Sequence, residues 1–160
     1  METLLIGGKM KKYKIGYTTG VFDMFHIGHL NVLKKSKELC DYLIVGVSTD
    51  ELVKEYKNKE PMIKFEERKA IVEAIRYVDK VVPQESLNKL DAWNELHFDV
   101  VFHGDDWKGS EMYEKIEQDL QNVGCDLVFL SHTPGISSTI LANRVNKIYK
   151  NEKEDTDSKQ

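Results

Sequence analysis

The chain has 160 residues, enough for one domain that buries its own core without disulfide or metal staples. With 41% hydrophobic and 31% charged residues it is globular in composition, and no apolar run approaches the ~20 residues of a membrane span. The formal net charge of −4 argues against a nucleic-acid partner, so any phosphate site must be a local gathering of cations on an acidic body.

Residues 1–12 hold only Leu4, Leu5 and Ile6 as an apolar core, with the lysines after it, and read as an N-terminal extension and not as a signal peptide. Residues 13–18 read as a strand, 19–25 as a turn bent at Gly20, and Ile27 opens a helix carrying Leu30, Leu33 and Leu39. The branched apolar run 42–48 is expected to be a central parallel strand covered on both faces. Residues 65–77 are helical by period, 78–82 form a short strand ended by Pro83, and 87–96 form a helix that buries Leu90 and Trp93. A strand at 99–103, a helix at 110–123 closed by Gly124, a strand at 126–130 and a helix at 137–149 complete the pattern. Residues 150–160 are polar throughout and read as a frayed tail. The alternation predicts one doubly wound, Rossmann-like α/β domain over residues 13–149, with a five-stranded parallel sheet and helices on both faces. Cys40 and Cys125 lie beside apolar runs without CxxC spacing, which predicts buried thiols in a reducing cytoplasm and argues against a cysteine metal site.

Ligands of such sheets bind beyond the C-terminal ends of the strands, and the chemistry-bearing segments fall there. His26 and His29 follow the first strand and share one face of the first helical turn, where the dipole favours negative charge. Gly28 between them lets phosphate approach closely. Each imidazole can donate to a phosphorus centre whose oxygens gain charge, without any protein nucleophile. On the residues alone, two histidines also simply decorate a helix start. Gly104 to Trp107 follow the fourth strand and would form a turn in any case. Thr133 to Thr139 follow the fifth, where serine and threonine serve for helix capping as readily as for phosphate. The lysine-rich stretch 54–59 is, taken alone, a solvated surface loop.

The stretch Thr19-Gly20-Val21-Phe22-Asp23-Met24-Phe25-His26-Ile27-Gly28-His29 resembles the first signature of the cytidylyltransferase family within the HxGH nucleotidyltransferases. Arg76-Tyr77-Val78-Asp79, Gly104-Asp105-Asp106-Trp107 and Gly135-Ile136-Ser137-Ser138-Thr139 stand in the order seen in bacterial glycerol-3-phosphate cytidylyltransferases, so the resemblance covers about residues 13–149. It implies catalysis by His26, His29, Lys57 and Lys59, the lysines belonging to a mobile loop that offsets repulsion between two phosphates. It implies nucleotide contacts from Thr19, Gly20, Val21, Phe22, Asp23, Gly28, Gly104, Asp105, Asp106, Trp107, His132, Thr133, Gly135, Ile136, Ser137, Ser138 and Thr139. Acceptor contacts are expected from Lys57, Arg68, Arg76 and Lys89. Asp23 either orients the turn or assists a metal. His132 stands where the family signature has arginine, Val21 where it often has threonine, and the region after Pro83 matches poorly, with Lys89 the nearest candidate for the family lysine.

The reaction implied is transfer of CMP from CTP to a small phosphorylated alcohol, glycerol 3-phosphate first, giving CDP-glycerol for teichoic acid or capsule polymer. Mg2+ arrives with the nucleotide, since no dedicated carboxylate cage is visible. The family implies a cytoplasmic homodimer. The alternatives are a cytidylyltransferase for phosphoethanolamine, phosphocholine or another polyol phosphate, an adenylyltransferase of the same superfamily, and a nucleotide-binding regulatory module.

Overall fold

In the computed structural model the described backbone comprises residues 5–6, 9–10 and 12–157; the side chains of residues 5–6, 9–10, 107, 155 and 157 are not described. The expected extension contains a two-stranded antiparallel pair, β1 (Leu5–Ile6) and β2 (Lys9–Met10).

The main sheet is parallel and five-stranded, built from β3 (Tyr13–Gly20), β4 (Cys40–Ser48), β5 (Lys80–Gln84), β6 (Val100–Gly104) and β7 (Asp126–Leu130) in the order β5-β4-β3-β6-β7. The helices are α1 (Ile27–Glu38), α2 (Asp50–Lys57), α3 (Phe65–Glu73), α4 (Lys89–Leu96), α5 (Glu111–Asn122) and α6 (Ser138–Asp157). Successive residues of a strand point to opposite faces, so β4 sends Leu43, Val45 and Val47 to one core and Ile44 to the other. On the first face these residues meet Leu33 of α1, Val72 of α3, Val100 and Phe102. On the second, Tyr17 stacks on Phe98 at 4.6 Å and packs with Val101, Leu120 of α5 and partly buried Trp93 of α4. This is the doubly wound architecture the alternation predicts. Cys40 and Cys125 are both buried, as their apolar neighbours indicate.

Local differences from the expected elements have physical causes. Pro83 lies inside β5 and does not end it, which an edge strand tolerates because one side of its ladder is unpaired. Residues 50–57 form α2, which takes up the first four residues of the lysine-rich loop expected at 54–59; Thr49 caps it by accepting from Leu52 N at 3.2 Å, and Asn58 ends it in the left-handed region. The helix at 65–77 stops at Glu73, and residues 74–79 turn into β5. In α4 the buried position is Lys89, while Leu90 is only partly covered. The last helix does not fray at 149 but continues to Asp157, because its lysines and glutamates favour helix even when exposed.

Candidate active site

The chain runs β3→β4→β5 outward on one side and then crosses to β6, so the topological switch point lies between the C-terminal ends of β3 and β6. A cleft opens there. Thr18 to Asp23, His29, Lys57, Lys59, His103, Gly104, Ser138 and Thr139 are among its lining residues.

The turn that enters α1 is conformationally costly. Phe22 and Met24 hold φ of 54° and 49°, a region that non-glycine side chains adopt at a cost of about 1–3 kcal/mol each. What holds the turn is Asp23 between them. Its two carboxylate oxygens accept from Met62 N (2.8 Å) and Ile63 N (2.9 Å), while its carbonyl accepts from Ser138 Oγ at 2.7 Å. Asp23 thus ties together the α1 turn, the segment after α2 and the start of α6. Its carboxylate orients the turn, one of the two roles expected of it.

The two histidines cap α1 reciprocally. His26 Nδ1 accepts from Gly28 N at 3.0 Å, and His29 Nδ1 accepts from His26 N at 3.2 Å, with the rings stacked at 3.8 Å. A ring nitrogen that accepts carries no proton, so the neutral form of each imidazole must bear its hydrogen on Nε2. The protonation states agree. Burial, followed by the neighbouring charge of His26, pushes His29 down to about 4, and burial also lowers His26. Both are therefore neutral hydrogen-bond donors near pH 7. Gly28 serves this arrangement directly: a Cβ there would lie 2.8 Å from His26 Cε1 and 3.0 Å from Nδ1. The sequence reading assigned the small residue to phosphate approach, but the close neighbour is the capping ring.

Lys57 ends α2 and Lys59 follows it, so the expected loop pair is held by a helix C-terminus and by Asp23's grip on residues 62 and 63. Burial and the adjacent Lys59 charge lower Lys57 from its ordinary value, with Asp23 opposing. Two ammonium groups facing one cleft outnumber the single Asp23 carboxylate beside them and leave a positive field for phosphates.

The last signature is divided between structure and cleft. Thr133 Oγ1 accepts from Asn31 Nδ2 at 2.8 Å, locking the β7 exit onto α1, and Ser137 Oγ caps α6 by accepting from Ile140 N. Gly135 turns at φ +78°, and Ile136 lies against Gly28. Ser138 and Thr139 reach the cleft. His132 Nδ1 lies 3.0 Å from Asp105 Oδ1 and 3.9 Å from Asp106 Oδ1, and the hydrogen bond to Asp105 raises its pKa. Asp105 and Asp106 begin a short 3-10 turn that also contains Trp107.

Two expected acceptor contacts lie elsewhere. Arg68 is fully buried: its Nη1 donates to Val21 O and Ser48 O, Nε to Ile63 O, and Nη2 to Asp50 Oδ1 at 2.7 Å. Four of its five donors are thus spent on the chain, so it braces the cleft from behind and does not meet a ligand. Arg76 is exposed, with Nη2 donating to its neighbour Tyr77, and precedes the N-terminal end of β5. The cleft lies at the C-terminal ends, so Arg76 is on the wrong side of the sheet.

Lys89 lies behind the cleft wall and reaches it only through Thr19. Its side chain is 5% exposed, and Nζ donates to Thr19 Oγ1 at 2.7 Å; burial pushes its pKa down to about 8. The sequence reading missed His103 and Tyr113, whose side chains hydrogen-bond to each other, and Asn31. His103 immediately precedes Gly104 at a strand end, a position that itself marks the ligand side of such a sheet.

The family model described as cytidylyltransferase-like matches residues 17–144. The glycerol-3-phosphate cytidylyltransferase of Bacillus subtilis (strain 168) is 36% identical over 135 residues, covering 80% of this chain and 94% of that protein. The ethanolamine-phosphate cytidylyltransferase of Dictyostelium discoideum is 47% identical over 96 residues, 58% of this chain and 26% of that protein. Among solved structures, the lipopolysaccharide core biosynthesis protein from Thermoplasma volcanium GSS1 superposes with a TM-score of 0.64 at 26% identity, over 76% of this chain and 97% of that one.

Proposed function

The chain belongs to the cytidylyltransferase-like family and is a nucleotidyltransferase, and we propose from that premise that it transfers CMP from CTP to glycerol 3-phosphate. The observation that carries the chemistry is the pair of neutral histidines with both Nδ1 atoms committed to the helix cap. A phosphate oxygen of the acceptor attacks the α-phosphorus, a new P–O bond forms, and the bond to the bridging oxygen breaks with its electron pair leaving on pyrophosphate. His26 and His29 stabilise this displacement through Nε2–H donors aimed at oxygens that gain charge, while Lys57 and Lys59 offset repulsion between two anions. Ser138 and Thr139 at the start of α6 extend the cradle for the triphosphate.

Magnesium supplies further charge neutralisation when it is bound with the nucleotide. Hard-cation sites need several free oxygen ligands. Each Asp23 oxygen accepts one backbone N–H, and in the one metal-capable grouping among the described residues His132 is paired with both Asp105 and Asp106. An ion arriving with the nucleotide would be held chiefly by triphosphate oxygens and water.

Glycerol 3-phosphate is the first acceptor because the relative matched over nearly its full length uses it. Phosphoethanolamine is the second reading, favoured by the higher identity over the shorter match. The reading extends to a cytoplasmic homodimer whose product, an activated polyol, feeds a teichoic acid or capsule polymer. Pyrophosphate release with CTP against ATP, across glycerol 3-phosphate, phosphoethanolamine, phosphocholine and longer polyol phosphates, tests it. Turnover confined to CTP and glycerol 3-phosphate is expected; preference for ATP, or CTP binding with no acceptor-dependent release, refutes it.

A further inference from the structure

Between α4 and the edge strand β5 lies a second groove that shares no lining residue with the cleft. Its volume is about 220 Å3, room for a short carbon chain, and Pro83 and Ala92 give it apolar wall. Tyr17 lines its inner side. The Tyr17 ring stacks on Phe98, and its hydroxyl reaches from β3 across the neighbouring strand β4, where a Cβ on Gly46 would lie 2.5 Å from it. Gly46 pairs with Val82 of β5, so the hydroxyl is aimed at the edge strand and the groove beside it. Tyr17 is 1% exposed, burial keeps the hydroxyl protonated, and that hydroxyl has no hydrogen-bond partner among the described residues. A buried hydroxyl left unpaired is unfavourable, so it marks a point where a ligand atom gains a hydrogen bond the chain does not supply.

The charge around the groove says which ligand. Glu85, Asp91 and Glu95 line it, whereas no lysine, arginine or histidine does, and none of the three carboxylates makes an ion pair or hydrogen bond among the described residues. Lys89, the one cation of α4, is turned to Thr19. A cation is therefore selected. The three carboxylates do not gather within 4.8 Å of one another as a shared metal ion needs, a closeness found among the described residues only at Asp105, Asp106 and His132. Spread carboxylates with apolar wall between them suit an ammonium group on a carbon chain. Its three N–H donors can meet the Tyr17 oxygen and the carboxylates while its methylenes rest on Pro83 and Ala92.

We propose that this groove is a binding site for a small aliphatic amine, whose ammonium group donates to Tyr17 Oη while Glu85, Asp91 and Glu95 hold its charge. The site is separate from CMP transfer and stands or falls without it. Calorimetric titration of wild type, Tyr17→Phe and the double variant Asp91→Asn, Glu95→Gln with butane-1,4-diamine, beside butane-1,4-diol and Mg2+ at matched ionic strength, tests it. Wild type is expected to bind the diamine with a dissociation constant on the order of 1 mM, at least about tenfold tighter than the diol or Mg2+. Tyr17→Phe keeps the stacked ring and removes only the acceptor, so binding should weaken about tenfold, as for a hydrogen bond to a charged group. The double variant alters exposed side chains, should melt as wild type does, and should weaken binding about twofold to fivefold per carboxylate, which keeps the test decisive even if Tyr17→Phe fails to fold. No binding of the diamine to wild type by ~10 mM overturns the inference, as does equal affinity for the diol or for Mg2+. An unchanged dissociation constant in the double variant, or in folded Tyr17→Phe, also overturns it.

Discussion

Gly28→Ala separates what the α1 turn contributes to folding from what it contributes to chemistry. The added Cβ would sit 2.8 Å from His26 Cε1, well inside contact distance, so the imidazole must rotate off its cap. Losing the hydrogen bond from Gly28 N costs about 1 kcal/mol, the usual value of an N-cap. Replacing glycine by alanine inside a helix returns about 1 kcal/mol of propensity. The two nearly cancel, so the melting temperature should stay within a few degrees of wild type. Activity has no such compensation. Rotated off the cap, His26 no longer aims Nε2–H at the phosphates, and the loss of one preorganised donor lowers kcat about 100-fold, or ~2.7 kcal/mol. Pyrophosphate release under saturating substrates, beside a thermal melt, reads both. A folded variant retaining kcat within threefold of wild type would refute the coupling between cap and catalysis.

Other perturbations test other parts of the account. Arg68→Met leaves Asp50 and three carbonyls without their partner and should destabilise by about 3–5 kcal/mol, seen as a melting temperature lower by about 10 °C, whereas Arg76→Ala should change stability by less than ~0.5 kcal/mol. For His29 the folded pKa lies below the unfolded value of ~6.5, so the unfolded state binds more protons between about 4 and that value; stability is full above ~6.5 and falls by on the order of 3 kcal/mol toward pH 4. Urea melts at several pH values should show this slope in wild type and lose it in His29→Gln. His132 has a raised pKa through Asp105, so its charge is present below that pKa and disappears as pH rises through it. The CTP KM should rise over the same interval in wild type and stay flat in His132→Arg.

The sheet was legible because its strands are branched apolar runs closed by glycine or a strand-end turn, and β7 was read with its observed ends, whereas Pro83, read as a strand end, lies inside β5. The site's location followed from the same order, since His26, Gly104 and Thr133 each follow a strand. Finer placement was not legible. The second half of α2, residues 54–57, read as part of a lysine-rich loop because three of those four residues are lysine or glutamate, whereas the helix is held by Leu52 and Val53 packed in the core. A guanidinium that binds phosphate and one that binds carbonyls look identical in sequence, and only the closure of α3 over Val21 and Ser48 assigns Arg68 to the latter. Arg76 was readable in part, because it precedes a strand and the ligand side follows one. Lys89 could be named but its burial could not, since the helical period favoured Leu90 for the core.

The central claim is CMP transfer driven by two neutral histidines, and 31P NMR of the reaction of CTP with glycerol 3-phosphate and magnesium tests it most directly. The account predicts stoichiometric pyrophosphate and a CDP-linked diphosphate ester in wild type, with the rate lowered at least ~100-fold in both His26→Ala and His29→Ala. Absence of that product in wild type, or near-normal turnover in either folded variant, would contradict it.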